Sequence, residues 1–381
     1  MVSAVREETL LGLYLHIPFC ESICNYCNFN RGLFDPAVKK RYVDSLVLEI
    51  TGTGDGAVVD TVYFGGGTPS LLEPEEVDRL LGACRESFSL TSSAEISLEV
   101  NPESASSRRL SGWREAGVNR LSFGVQSFRD VELKSLERRH SAERARAVVG
   151  TARAEGYDDI SLDLMLWLPG QTSTHCRHSV KSLLELEPDH ASFYLLELYP
   201  NAPLRENMAR SGLSLAPEED AVQMYLETLE TTDLAGYVQY EISNVSKPGR
   251  KCRHNLKYWT DGEWLGFGCG AHSTRGTARW SNISETSRYI ENVASGQDVV
   301  LSKRSLSDGE RLGDALFMGL RVTEGLDVRL IEQRYGISVM EKYRSALAPF
   351  IKKKRLLYES GRLRLTREGM LIANEVMGAF V

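Results

Sequence analysis

Between Leu11 and about residue 235 the chain repeats one pattern six times: a short apolar run, then a stretch with helical periodicity. The runs are Leu11–Ile17, Thr61–Phe64, Glu95–Val100, Arg120–Val125, Ile160–Leu166 and Ala191–Leu196. Each is compact and carries β-branched or aromatic residues, as strands covered on both faces do. Between them, Glu75–Cys84 places Val77, Leu80 and Leu81 on one stripe, with Pro74 at its start. In Ala142–Glu155 the residues Ala145, Val148, Val149 and Ala152 share a face, and Gly156 suits the stop. Six βα units in series predict an α/β fold with a parallel sheet and right-handed crossovers. The polar residues cluster at the C-terminal ends of several strands, which favours a curved, partial (β/α)6 TIM-like barrel over a flat sheet.

The first strand runs directly into Cys20-Glu-Ser-Ile-Cys24-Asn-Tyr-Cys27. Three thiols spaced C-x3-C-x2-C on one loop can hold three corners of a 4Fe-4S cubane, which normally takes four thiolates. One iron is then open to a non-protein ligand, and an open metal position marks a reactive site. A zinc knuckle is the competing reading, with His16 the nearby candidate for a fourth ligand. Disulfides do not fit an odd cluster without an export signal. The chain has 381 residues, 42% hydrophobic and 25% charged, the composition of an ordinary soluble globular protein. Its net charge of −7 argues against a nucleic-acid binder. No run reaches membrane-span length, and Met1–Glu8 lacks the order of a signal peptide. Seven cysteines without such a signal imply a reducing cytoplasm.

The strand ends carry the remaining polar candidates. The second strand leads into Phe64-Gly-Gly-Gly-Thr-Pro69, where bare backbone lets a ligand approach closely. Glu99 closes the third strand, Gln126 follows the fourth, and Asp163 lies in the fifth. Carboxylates in apolar strands are costly unless they bind something. Ribose hydroxyls are natural partners; salt bridges inside the barrel are the alternative. Residues 236–300 form a Gly-, Asn- and aromatic-rich extension with little periodicity, following the 1–235 barrel. Residues 301–381 read as helices, then a strand–turn–strand at Leu356–Leu365 and a helix over Gly369–Ala379, an order like a small winged-helix α+β domain. Lys352–Arg355 reads as a solvated helix end, where cations suit the dipole.

Five motifs in one order carry a resemblance: His16-Ile-Pro-Phe-Cys20 with the three-cysteine loop, Phe64–Pro69, Gly124-Val-Gln-Ser-Phe128, and Tyr240-Glu-Ile-Ser-Asn244. Together they resemble the radical S-adenosylmethionine (SAM) proteins of the oxygen-independent coproporphyrinogen III oxidase family, over almost the whole chain. The resemblance implies that Cys20, Cys24 and Cys27 hold a 4Fe-4S cluster whose fourth iron SAM chelates. It places Tyr14, Gly66, Gly67, Thr68, Glu99, Gln126, Arg138 and Asp163 at SAM-contacting positions, some in a second SAM site of relatives, and faces Tyr26 toward that ligand. Arg138 suits a carboxylate through bidentate pairing; it also reads as a helix-surface arginine.

One departure separates the branches. The porphyrinogen-decarboxylating members carry a fourth cysteine two residues after the third, and here that residue is Phe29. Conversely, His254-Asn-Leu-Lys-Tyr258-Trp259 resembles the H-N-x-x-Y-W signature of a heme-chaperone branch, as does Gly266-Phe-Gly-Cys-Gly-Ala-His272-Ser273. A histidine beside two aromatics can ligate heme iron; equally, His254 can hydrogen-bond locally with the aromatics as core. Cys84, Cys176, Cys252 and Cys269 read as buried small hydrophobes. The resemblance therefore implies a cytoplasmic protein that binds heme and transfers it to respiratory acceptor proteins at the membrane. A flavodoxin or ferredoxin would supply electrons if SAM is cleaved. The alternative it implies is a coproporphyrinogen III oxidase.

Overall fold

The computed structural model describes residues 10–200 and 202–380; the stretch Met1–Glu8, weighed above as an export signal, lies outside them. The six runs form strands β1 (Leu11–Ile17), β2 (Val58–Gly66), β3 (Ser89–Val100), β4 (Arg120–Gln126), β5 (Ile160–Leu166) and β6 (His190–Leu195). They pair in chain order and in parallel throughout, with a helical crossover after each as far as β6. Helix α1 (Pro36–Thr53) starts where the Asp35 carboxylate accepts from the amides of Ala37 and Val38, and Pro36 presets the first turn. In the helix Pro74–Ser87 the stripe of Val77, Leu80 and Leu81 is fully buried, and in Ala142–Ala154 the four stripe residues are buried as well. Each leucine or valine so withdrawn from water contributes roughly 1.5–3 kcal/mol.

The extension belongs to the same sheet. It supplies β7 (Val238–Gln239), β8 (Asn244–Ser246), β9 (Trp264–Phe267), β10 (His272–Arg275) and β11 (Ala278–Asn282), and Val300–Ser305 adds β12. The twelve strands lie in the order β12-β11-β10-β9-β1-β2-β3-β4-β5-β6-β8-β7. Strand β9 is parallel to β1, whereas β8 is antiparallel to β6. The chain between β8 and β9 therefore crosses from one edge of the sheet to the other. It does so beneath the N-terminal ends of β1–β3, carrying the helix Arg253–Trp259 as a plug in the barrel floor. Strands of two to five residues are too short to leave a period-two signal, which is why this region looks aperiodic in sequence.

Residues 308–380 enclose a second core built on Leu316, Leu320, Val339, Leu347, Leu356 and Leu363. A three-stranded sheet is completed by a hairpin, Leu356–Glu359 and Arg362–Leu365, turning through Ser360 and Gly361, both at positive φ. The helix expected over Gly369–Ala379 is corrected to two short helices, Arg367–Met370 and Ala373–Met377. Gly369 packs onto the Arg355 carbonyl, and Ile372 leaves the helical region. This unit is tied to the barrel through Tyr240–Asn244: Glu241 is fully buried and accepts from the Ser243 amide (2.8 Å), Asn244 Nδ2 (2.6 Å) and Arg321 (3.0 Å). The Arg321 guanidinium also lies 4.5 Å over the Trp259 ring. Among the described residues no helix is long and apolar enough to cross a membrane.

Candidate functional site

At the C-terminal mouth of the barrel, the cysteine loop leaves β1 and returns through a short parallel bridge of Phe19–Cys20 with Gly32–Leu33. Cys20 is buried, while Cys24 and Cys27 are half-buried. Burial pushes the Cys20 and Cys27 thiols up, against the pull of the nearby Arg31 guanidinium. A metal that takes the thiolates relieves that cost. Around them, Thr68 Oγ1 donates to Cys20 Sγ at 3.4 Å, and Arg138 Nη1 approaches Cys24 Sγ at 3.5 Å. Arg138 Nη2 also donates to Asn101 Oδ1 and to the Gly124 carbonyl, both at 2.9 Å, and its Nε is buried without a partner. Arg138 is thus not a helix-surface residue: the helix Asp130–Ser135 ends before it, and Glu137 at φ 57° turns the side chain inward. Asn101, unremarked in the sequence, joins Thr68 (3.3 Å) to Arg138.

The glycine loop has an internal reason to be bare. A Cβ at Gly66 would meet the His16 ring at 2.6 Å, and one at Gly67 would meet the Phe19 carbonyl at 2.8 Å. The loop therefore packs first on the chain's own first strand. Gly66 also offers its amide to Glu99 Oε2 at 3.3 Å, while Tyr63 donates to Oε1 at 2.9 Å. Desolvation pushes the half-buried Glu99 carboxyl up to about 7, and Asp163 to about 6. Ser122 donates weakly to Asp163, at 3.3 and 3.5 Å. Gln126 ends β4 at φ 68°, and Tyr26 packs onto the apolar group of Leu136, Met165 and Leu204 beside the loop. Tyr14 donates toward His16 Nδ1 at 3.0 Å, and His16 Nε2 meets the Asn30 carbonyl at 2.8 Å. Both His16 nitrogens are engaged, so it does not supply the fourth ligand of a zinc knuckle. Among the described residues no three His, Cys, Asp or Glu side chains converge as on a single metal ion; a cubane, held at separate irons, spaces its thiolates more widely.

His254 lies below this group, its ring 6.4 Å from that of Tyr14. It lies in the floor plug, fully buried, with Thr61 Oγ1 at 2.9 Å from Nδ1 and Tyr258 Oη at 2.8 Å from Nε2. Tyr63 stacks on the ring at 5.1 Å. Burial, with Lys257 nearby, lowers its pKa to about 3, so the ring is neutral. With both nitrogens engaged in this conformation, ligation of an iron by His254 would require one of these hydrogen bonds to open. Glu95, also missed in sequence, anchors the plug by accepting from the amides of Arg253 (2.9 Å) and His254 (3.1 Å). Cys252 is buried against Glu95 Oε1 at 3.5 Å, its thiol pushed up to about 12 by burial. A cavity of about 730 Å³ opens beside the plug, lined by charges of both signs such as Arg114, Asp159, Arg250 and Lys251. It gathers none of the sequence-predicted residues.

Residues 14–183 match the Radical SAM superfamily, and residues 306–372 match the HemN C-terminal domain. That superfamily takes a 4Fe-4S cluster and SAM as cofactors. The chain is 35% identical to the heme chaperone HemW of Bacillus subtilis, across 97% of this chain and 98% of that one. It is 35% identical to the heme chaperone HemW of Mycobacterium tuberculosis, covering 96% and 93%, and 38% identical to that of Escherichia coli over 69% of each. The structure superposes on coproporphyrinogen III oxidase (HemN) from Escherichia coli with a TM-score of 0.87 at 26% identity, over 98% of this chain and 90% of the other. At 35% identity along nearly its full length, the chain belongs to the heme chaperone HemW family of radical SAM proteins.

Proposed function

We propose that this protein works in the cytoplasm, binds heme and transfers it to respiratory acceptor proteins at the membrane, while keeping a radical SAM core. The observation that carries this reading is Phe29: it stands, 65% exposed, where decarboxylating relatives place a fourth cysteine, and the full-length relatives at 35% identity bear the name heme chaperone. In this reading Cys20, Cys24 and Cys27 hold the cluster. Tyr14, Tyr26, Gly66, Gly67, Thr68, Glu99, Gln126, Arg138 and Asp163 face SAM. A cluster held by these thiolates would supply the one electron for reductive cleavage of the sulfonium, and a flavodoxin or ferredoxin would donate it if SAM is cleaved.

The chain's own groups suit these roles. Desolvation raises the pKa values of Glu99 and Asp163 against the donors that reach them; sugar hydroxyls would add hydrogen bonds and favour the ionised form. Arg138 keeps a buried, unpartnered Nε beside Cys24. A guanidinium there offsets the negative charge of thiolates and can pair with an amino-acid carboxylate. Heme transfer in this scheme needs an iron ligand other than His254 as packed here, or release of the floor plug.

The likeness to coproporphyrinogen III oxidase at a TM-score of 0.87 favours a second reading, oxidative decarboxylation of a porphyrinogen. One preparation separates the two. Anaerobically reconstituted protein is titrated with heme, and in parallel incubated with SAM, reductant and coproporphyrinogen III. Stoichiometric heme uptake without carbon dioxide release is the expected outcome; carbon dioxide and a vinyl product overturn it.

A further inference from the structure

We propose that Asn30 is a positioning residue, fastening the exit of the cysteine loop to the extension, and that the Gly268–Gly270 turn is shaped to receive its amide. The inference rests on the cluster reading above. Asn30 lies three residues beyond Cys27, where the loop turns back toward the barrel. Its Nδ2 donates to the carbonyls of Cys269 and Ser284, each at 3.1 Å, with Cys269 Sγ a further 3.7 Å contact. Its own carbonyl receives His16 Nε2. One residue thus ties the loop both to the first strand and to a segment some 240 positions later in the chain.

The receiving turn is held from every side. Gly270 sits at φ 71°, its amide donates to the Ile283 carbonyl at 2.9 Å, and a Cβ there would lie 2.3 Å from Asn30 Nδ2. Gly268, at φ 96°, leaves room for Tyr42 Oη, which accepts from the Cys269 amide (3.0 Å) and donates to the His16 carbonyl (2.8 Å). Beneath it, half-buried Glu49 accepts from the Gly268 amide (2.8 Å), Asn282 Nδ2 (2.6 Å) and Tyr289 Oη (2.6 Å). So many satisfied, largely buried groups around one turn make a rigid socket. The Gly266–Ser273 motif then has a role in this chain that involves no heme: it is the fixed point against which the third cysteine is held.

The test uses Asn30→Ser, Asn30→Leu and Gly270→Ala in the full chain, with Thr286→Val as a control that alters only the far contact of Cys269 Sγ, 3.5 Å away. Hydrogen exchange of metal-free protein reads the loop directly. Amides of residues 27–33 should exchange about tenfold faster in each Asn30 and Gly270 variant, as expected for losing one or two net hydrogen bonds, and at the wild-type rate in Thr286→Val. After anaerobic reconstitution, the variants should bind iron but lose it to a chelator about tenfold sooner, with an altered electron paramagnetic resonance response to SAM. Wild-type exchange and chelator half-life in folded Asn30→Ser overturn the proposal, even if the larger substitutions fail to fold. Wild-type protein that takes up no iron overturns the cluster reading instead, and leaves the exchange measurement to decide the clamp.

Discussion

The two ends of the barrel solve opposite problems with similar residues. At the floor, His254 and Glu95 are buried, Tyr258 is half-buried, and all three are paired, so the plug leaves His254 no free nitrogen. At the mouth, Glu99, Asp163 and Arg138 are half-buried; desolvation raises both carboxyls, Arg138 keeps a buried Nε without a partner, and three free thiols sit among them. Polar groups satisfied within the chain stabilise it; polar groups left short are places where a ligand completes the structure. Residue type alone does not separate the two ends, since a histidine and a carboxylate occur at both.

Exchanging a residue at each end tests that contrast. The largest effect is expected at the mouth: Cys24→Ala should abolish cluster assembly, read as iron per chain after anaerobic reconstitution, while the metal-free protein melts within a few degrees of wild type. Next, His254→Ala should cost about 2–4 kcal/mol in urea unfolding, from the cavity and the two orphaned hydroxyls, with iron content unchanged. Undiminished stability together with lost heme binding would reverse the assignment and make His254 a ligand.

The pH responses should have opposite signs. The His254 pKa falls from 6.5 to about 3 in the fold, so its contribution is complete above pH 6.5 and is lost as pH drops toward 3. Glu99 rises from 4.5 to about 7, so its contribution is complete below pH 4.5 and is lost as pH rises through 7. Stability of metal-free Glu99→Gln, measured from pH 5 to 8, should therefore lack the alkaline decline of wild type. Ligand that requires ionised Glu99 should bind wild type more tightly at pH 8 than at pH 6. The smallest effect belongs to Phe29→Cys: at an exposed site it should change stability by no more than about 0.5 kcal/mol, and iron content should remain that of the wild type.

The barrel and the mouth were readable because their signals are local. Leu11–Ile17 and Ile160–Leu166 are strands to the residue, since runs buried on both faces need no distant partner to be recognised. The cysteine spacing and the strand-end polar residues lie within a few positions of one another or at a repeated place in each βα unit. The floor was not readable. His254 owes its burial to Thr61, 193 residues away, and Asn30 reaches carbonyls more than 230 residues away. A histidine followed four residues later by a tyrosine looks the same whether it faces a ligand or the core. Nor could Arg138 be told from Arg139: one turns into the site and its neighbour pairs with Glu21 at the surface, a choice made by Glu137 in the left-handed region.

Strand β9 is only four residues long, yet it is hydrogen-bonded along β1 and joins the floor plug at one end to the Gly268–Gly270 socket at the other. Plug and socket therefore share one fastening on β1, and a substitution that loosened this strand from Gly12–Leu15 would slacken both together.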